Sequence, residues 1–90
     1  MNGLDARPRL ASGVRLRADR VRGGFNLLAP EHVLRVNASS AAILHLCDGT
    51  RRIGDIAGLL ADEYKVERVR IERDVFALIA DLASRRMVET

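Results

Sequence analysis

Residues 32–49 read HVLRVNASSAAILHLCDG, and the spacing of the apolar side chains changes in the middle of this stretch. Across residues 32–36 the side chains alternate, with Leu34 and Val36 on one face, which predicts a half-buried strand. From Asn37 onward the apolar side chains recur every three or four positions, which is the spacing of a helix. A strand that runs directly into a helix is therefore the framework on which the rest of the chain is placed.

Two alternating segments upstream predict two more strands. The first starts at Val14 and ends before the glycine pair at 23–24, and the second covers residues 25–29 and ends before Pro30. Glycine pairs and proline are typical of tight turns between strands. With residues 32–36 as the third strand, the sequence predicts a three-stranded antiparallel meander with short links.

Three helical segments follow the predicted sheet. The first is expected to begin at an N-cap among Asn37, Ser39 and Ser40 and to end at Gly49, where a left-handed glycine closes it. The second covers about residues 54–64 and the third about residues 70–85, each with an apolar stripe at helical spacing. The sequence thus predicts an α+β fold in which a three-stranded antiparallel sheet is followed by three helices.

The third predicted helix carries more apolar surface than one core contact requires. Its core stripe is expected to comprise Ile71, Val75, Leu78, Ile79 and Leu82. The apolar surface extends to one flank through Phe76, Ala80 and Ala83. The opposite flank is polar, with Asp74, Asp81 and Arg85. Two interpretations stay open, namely an apolar groove on the Phe76 flank and packing of that flank against the sheet.

Length and composition favour one small domain. The chain has 90 residues, of which 48% are apolar, and this is enough for one core but too little for a second domain. Residues 1–12 carry charges and Pro8 without periodicity, so a flexible N-terminal segment is expected there, with the folded domain covering residues 13–90. No apolar run is long enough for a signal peptide or a membrane-spanning helix, so the cytoplasm is the expected location.

Catalytic and metal-binding patterns are missing from the sequence, and neither a cofactor nor a metal ion is predicted. The chain has no glycine-rich phosphate loop, paired histidines or nucleophile elbow. Cys47, the single cysteine, and His45 lie in the first predicted helix, where buried or partly buried positions are expected. The net charge of +3, from 15 basic and 12 acidic residues, suits a peptide partner as well as nucleic acid. The residues therefore predict a binding protein rather than an enzyme.

Three stretches carry a resemblance to a known family: LLAPEHVLRVN at 27–37, AAILHLCDGTRRIGDIAGLLADEY at 41–64 and DVFALIADL at 74–82. Together they resemble the PqqD family of pyrroloquinoline quinone (PQQ) biosynthesis. The resemblance implies a winged-helix-like module called a RiPP recognition element, which acts as a peptide chaperone. It implies two partners, the ribosomally made precursor peptide PqqA and the radical S-adenosylmethionine enzyme PqqE, and no membrane.

In that family the peptide adds as a further strand beside the third strand and lies against the third helix, and the exposed edge of a sheet can template such a strand. Carried over to this sequence, the expected peptide-binding residues are His32, Val33, Leu34, Arg35, Val36, Arg73, Phe76, Ala80 and Ala83. The alternative is a winged-helix DNA-binding regulator, because the same elements occur in many regulators. Acidic residues interleaved with the arginines of the third helix disfavour DNA, so no nucleic-acid partner is expected.

Overall fold

A computed structural model, which describes residues 3–90, confirms the predicted α+β arrangement. The chain begins with a 3₁₀ turn at Gly3–Asp5. The strands are β1 Arg9–Leu10, β2 Arg15–Ala18, β3 Phe25–Leu28, β4 Val33–Val36 and β5 Val88–Glu89. The helices are α1 Ala38–His45, α2 Ile53–Tyr64 and α3 Arg68–Ser84.

The predicted meander is the sheet β2-β3-β4, in which both pairings are antiparallel. Leu27 at the centre of β3 pairs with Leu16 of β2 and Leu34 of β4. Gly23 and Gly24 form the turn between β2 and β3 with φ values of 77° and 73°, a region in which glycine avoids the steric penalty of a side chain. β2 and β4 are the two outer strands of this sheet.

Helix α1 starts as predicted but ends earlier. The side chain of Asn37 caps it by accepting the N–H of Ser40 at 2.8 Å. The predicted end at Gly49 is wrong, because α1 ends at His45 with Leu46 as its C-cap. Gly49 has a φ of 86°, yet its N–H donates to Pro8 O at 2.9 Å, so its conformation serves a contact with the N-terminal segment.

Helices α2 and α3 agree with their predicted segments. The N–H of Arg52 donates to Asp55 Oδ2 at 3.1 Å and satisfies one of the free donors at the start of α2. Lys65, with a φ of 57°, ends α2 in the left-handed conformation and turns the chain into α3. Across residues 3–90, no helix combines the length and apolarity needed to cross a bilayer.

The core lies between the inner face of the sheet and the three helices. Leu27 of β3, Ile56 of α2, and Val75 and Leu82 of α3 have no exposed surface. On α3, Val75, Ile79 and Leu82 are buried while Ile71 and Leu78 pack partly buried against the core, which confirms the predicted stripe. The burial of these apolar side chains is the dominant stabilising term in so small a domain.

The N-terminal segment is packed, whereas the sequence predicts a flexible one over residues 1–12. Ala6 O accepts the N–H of Ile53 at 2.9 Å, and Pro8 is among the fully buried side chains. β1 pairs antiparallel with β5, so backbone hydrogen bonds join the N-terminal segment to the C-terminal strand. Periodicity within 12 residues cannot reveal a partner some 80 positions away. Residues 1 and 2 lie outside the described part of the chain.

Candidate functional site

The outer edge of β4 offers backbone groups to a further strand. Ala29 N–H donates to His32 O at 2.9 Å, which fixes the alternation of hydrogen-bonded pairs along the β3–β4 ladder. By that alternation Leu34 and Val36 direct their N–H and C=O groups to β3. Val33 and Arg35 direct theirs to the open side, where they can pair with an added chain.

The two faces of β4 differ in burial. The side chain of Val36 is 7% exposed and that of Leu34 is partly buried, so both belong to the core side of the strand. Val33 is 61% exposed and Arg35 is also exposed, so both lie on the outer face of the sheet. Val33 therefore leaves an apolar side chain exposed next to the open edge.

Arg35 joins β4 to the turn between β2 and β3. Its Nη1 donates to Asp19 Oδ2 at 3.0 Å and to Asn26 Oδ1 at 3.4 Å, and its Nη2 donates to Gly23 O. The N–H of Arg22 and the side chain of Asn26 hold the pKa of Asp19 below its ordinary value, and the charge of Arg35 acts in the same direction. We call this set of contacts the Asp19–Arg35 clasp. Arg35 is therefore held against the sheet and is not a free side chain beside the edge.

An apolar cavity of about 310 Å³ lies beyond the end of β4, between the three helices. Its lining residues are Ala38, Ser39, Ala42, Ile43, Leu60, Tyr64, Val66, Ile71 and Asp74. Tyr64 and Val66 at its mouth are 57% and 40% exposed. Ala38, which lines this cavity, is two positions after Val36, so the cavity lies close to the end of β4.

A second cavity of about 370 Å³ lies at the other end of β4. It is formed where the turn between β3 and β4, including Pro30, Glu31 and His32, faces Arg85, Arg86 and Met87 after α3. His32 is exposed here. The two cavities therefore mark the two ends of the open strand, one mainly apolar and one with arginines.

Both cavities contact the same flank of α3, the one that carries Asp74 and Arg85. Phe76 is two positions from Asp74, which turns its side chain about 160° away around the helix. The structure places Phe76 against the N-terminal segment, since a Cβ built on Gly3 lies 2.3 Å from Phe76 Cε2. Phe76 therefore lies beside the N-terminal segment, and the predicted contact of its flank with a peptide beside the third strand stays a prediction.

The other residues expected from α3 lie with Phe76. Ala83 is partly buried and Ala80 is exposed on the same flank, and Arg73 is exposed farther round the helix. Along β4 the structure brings together His32, Val33 and Arg35, with Leu34 and Val36 on the core side of the strand. The other expected residues, Arg73, Phe76, Ala80 and Ala83, share a flank of α3 that does not include Asp74. The cavity between the helices is also lined by Tyr64, Val66 and Ile71, which are not among the expected peptide-binding residues. The sequence signal for Tyr64 and Val66 is the pair of apolar side chains on either side of Lys65.

The candidate catalytic and metal-binding groups are dispersed. Within residues 3–90, no group of three or more His, Cys, Asp or Glu side chains is placed to hold a metal ion. Burial and the nearby Asp48 carboxylate raise the pKa of the Cys47 thiol to about 12, and its Sγ donates to Ile43 O at 3.3 Å. The expected burial of Cys47 is confirmed, whereas that of His45 is wrong, because His45 is exposed and its ring stands edge-on to Phe25 at 5.7 Å.

Comparison with known proteins supports the resemblance inferred from the sequence. Residues 25–88 match the family described as coenzyme PQQ synthesis protein D (PqqD). The chain belongs to the PqqD family. It is 39% identical over 90 residues to the PqqA binding protein of Xanthomonas axonopodis pv. citri, with 98% of each chain covered. It is 40% identical over 82 residues to the bifunctional coenzyme PQQ synthesis protein C/D of Methylorubrum extorquens, and there the match covers 91% of this chain but 22% of that longer relative.

Two solved structures share the arrangement of this PqqD-family member. One is the NMR structure of the PqqD part of Methylobacterium extorquens PqqCD, a functional and stand-alone RiPP recognition element. It superposes with a TM-score of 0.86 at 39% identity and covers 100% of this chain and 95% of that one. The other is lasso peptide synthetase B1 complexed with the leader peptide, with a TM-score of 0.79 and 28% identity, and it covers 94% of this chain and 100% of that one. Both comparisons support the three-stranded sheet followed by three helices.

Proposed function

We propose that this PqqD-family chain is a non-catalytic peptide carrier in PQQ biosynthesis. It binds a PqqA-like precursor peptide and presents that peptide to a PqqE-like radical S-adenosylmethionine enzyme. The observation that carries the proposal is the open edge of β4 between two cavities. A relative described as a PqqA binding protein and a fold neighbour solved with a leader peptide support it.

The peptide adds to the sheet as a strand beside β4. Its backbone pairs with the outward N–H and C=O groups of Val33 and Arg35, which supplies affinity that does not depend on the peptide sequence. A strand of four residues spans about 13 Å, so the paired part of the peptide is short. Side chains on either side of this paired part must therefore supply much of the selectivity.

Selectivity comes from the two cavities on the Asp74 flank of α3. An apolar side chain of the peptide fills the cavity between the helices and removes the exposed surface of Tyr64 and Val66 from water. At the other end, Arg86 makes no ion pair within residues 3–90 and is available to an acidic side chain. The Phe76 flank lies outside this path.

The test is an NMR titration of the chain with a PqqA-like peptide. The amide signals of Val33 and Arg35 are expected to shift most, together with those of Ala42, Ile71 and Asp74 around the apolar cavity. Shifts centred on Gly3 and Phe76 would contradict the proposed path, and the absence of any shift at saturating peptide would contradict the carrier function. A scrambled peptide of the same composition is the control.

The DNA-binding alternative finds little support in the charges of α3. Arg68 of α3 pairs with Glu72 at 3.1 Å, and Arg85, directly after the helix, pairs with Asp81 at 3.3 Å, so these two arginines already have a carboxylate partner. The remaining arginines, Arg70 and Arg73, share the helix with Asp74. A recognition helix needs free donors facing the groove of the duplex. Duplex DNA is accordingly the negative control in the same titration.

A further inference from the structure

Four arginines without a carboxylate partner lie close together on one stretch of the chain. Around the helices and the β1–β5 ribbon, five arginines have such a partner, as in Arg9–Glu89 at 2.9 Å and Arg51–Asp48 at 3.0 Å, whereas Arg70, Arg73 and Arg86 make no ion pair within residues 3–90. Within residues 3–90, the side chains of four arginines on β2 and its following turn make no ion pair or hydrogen bond: Arg15, Arg17, Arg20 and Arg22. We call these four residues, together with Val21, the arginine surface.

The arginine surface is exposed along its whole length. Arg15 and Arg17 are exposed positions of β2 on either side of the partly buried Leu16. Val21 is 94% exposed and is flanked by Arg20 and Arg22. Asp19 is the one carboxylate between residues 15 and 24, and it is already engaged by Arg35 and by the N–H groups of Val21 and Arg22. The positive charge of this surface is therefore not compensated locally.

We propose that the arginine surface docks an acidic surface of the enzyme that modifies the bound peptide, an inference that rests on the proposed carrier function. Unpaired arginines around an exposed apolar residue resemble the composition of protein interfaces, in which arginine is enriched and an apolar centre is surrounded by polar groups. Arginine also pairs with carboxylates in a bidentate manner, which gives orientation as well as attraction. An acidic protein surface fits both the charge and the apolar contact.

Nucleic acid fits this surface less well. It consists of one strand of four residues and one turn, and no helix contributes to it. A duplex reader places a helix or a two-stranded ribbon in a groove, and a single-strand binder adds aromatic side chains on which bases stack. Within the arginine surface there is no aromatic residue. Its exposed centre is Val21, which suits a protein partner.

The position of the surface allows peptide and enzyme to bind at the same time. β2 and β4 are opposite edges of the sheet with β3 between them. Adjacent strands lie about 4.8 Å apart, so the two edges are about 10 Å apart and a peptide beside β4 leaves β2 uncovered. The carrier can therefore hold the peptide at one edge and meet the enzyme at the other.

The experiment measures the affinity of the peptide-loaded chain for the radical S-adenosylmethionine enzyme of the same pathway, at several salt concentrations. In Arg15→Glu/Arg17→Glu/Arg20→Glu/Arg22→Glu, the Kd for the enzyme is expected to rise about tenfold or more, and the wild-type Kd is expected to rise with salt. The Kd for the peptide is expected to stay within about twofold of wild type. Replacement of the same four arginines by lysine keeps the charge and is expected to restore most of the enzyme affinity.

A control for charge reversal elsewhere on the surface is Arg70→Glu/Arg73→Glu, which reverses two exposed charges of α3 and is expected to leave the enzyme Kd unchanged. Circular dichroism confirms that each variant is folded. If the fourfold glutamate variant binds the enzyme with an unchanged Kd, the proposed role of the arginine surface is wrong, but the proposed carrier function is not affected. Failure of the wild-type chain to bind the enzyme, or arginine-dependent binding of duplex DNA instead, overturns it as well. Failure to bind the peptide contradicts the proposed function itself.

Discussion

At the scale of single residues, the Asp19–Arg35 clasp joins the strand with the open edge to the turn between β2 and β3. Gly24 has a φ of 73°, and a Cβ built there would lie 2.7 Å from Arg35 Nη2. The left-handed backbone conformation favours glycine at this position, and a side chain here would also displace the guanidinium of Arg35 from the clasp. The clasp holds the side chain of Arg35, whose backbone is proposed to pair with the peptide. Because this side chain is already ordered before binding, less conformational entropy is lost when the peptide binds.

The clasp predicts a pH dependence of stability that belongs to Asp19. Because the pKa of Asp19 is held below its ordinary value, its ionised form stabilises the fold. That stabilisation is complete above the unfolded pKa of about 4 and is lost as the pH falls through the lower folded pKa. Asp19→Asn is expected to weaken the fold at neutral pH and to show a shallower loss of stability below about pH 4.

Urea unfolding midpoints measured between about pH 2 and pH 7 give the comparison. Asp62→Asn removes an exposed carboxylate of α2 that makes no ion pair within residues 3–90, and it serves as the control. Parallel pH profiles for wild type and Asp19→Asn would show that the clasp does not stabilise the folded chain.

Phe76 provides the second test at this scale, because it separates the two flanks of α3. It is 48% exposed and lies against Gly3, so Phe76→Asp is expected to cost about 1 kcal/mol of stability. Its effect on the peptide Kd is expected to stay within about twofold. A tenfold loss of peptide affinity in the folded variant would mean that the Phe76 flank of α3 contacts the peptide. Isothermal calorimetry and thermal unfolding of the same samples give both numbers.

At the scale of elements, the most informative feature is the alternation of hydrogen bonding along β4. Val33→Pro removes an N–H that points away from β3, so the ladder inside the sheet is kept while a donor at the open edge is lost. The peptide Kd is expected to rise about tenfold, equivalent to about 1.4 kcal/mol. Val33→Thr keeps the N–H and a β-branched shape and is expected to bind normally.

Fluorescence anisotropy of a labelled peptide measures these affinities, and thermal unfolding shows whether the sheet is intact. Equal affinities for Val33→Pro and wild type would mean that the peptide does not pair with this edge. A large loss of thermal stability would mean that the Val33 N–H belongs to the internal ladder instead.

The elements also show what the sequence could and could not reveal. The change of period after Val36 predicts β4 and α1 because strand and helix alternations are local properties. The same pattern shows that Asp74 and Phe76 lie on different flanks of α3, but it does not show which flank lines the two cavities. Gly49 was misplaced as a helix cap for a similar reason, since its conformation depends on Pro8.

At the scale of the whole molecule, the N-terminal segment completes the fold. Gly49 N–H donates to Pro8 O, and Ala11 N–H donates to Met87 O, both at 2.9 Å. Leu4 and Leu10 pack partly buried against the core. These contacts come from residues that are distant in sequence, so no local pattern distinguishes this segment from a frayed terminus.

Deletion of residues 1–12 is therefore expected to destabilise the chain by about 3 kcal/mol or more, because it exposes Met87 and Val88 and leaves backbone donors without their acceptors. In the full chain, the amides of Gly49, Ile53 and Ala11 are expected to exchange slowly with deuterium. A chain that lacks only residues 1 and 2 is the control. Equal stability of residues 13–90 and the full chain would support the flexible segment that the sequence predicts.

The Asp19–Arg35 clasp has a thermodynamic consequence for the whole molecule. It ties β4, where the peptide is proposed to bind, to the turn that carries Arg20 and Arg22. Two ligands that share one protein must affect each other's binding constants by the same factor. If the bound peptide raises the affinity of the chain for the enzyme by some factor, the bound enzyme must raise the affinity for the peptide by the same factor. Asp19→Asn is then expected to change the coupling between peptide binding and enzyme binding. The change can be measured either as the effect of the peptide on the enzyme Kd or as the effect of the enzyme on the peptide Kd.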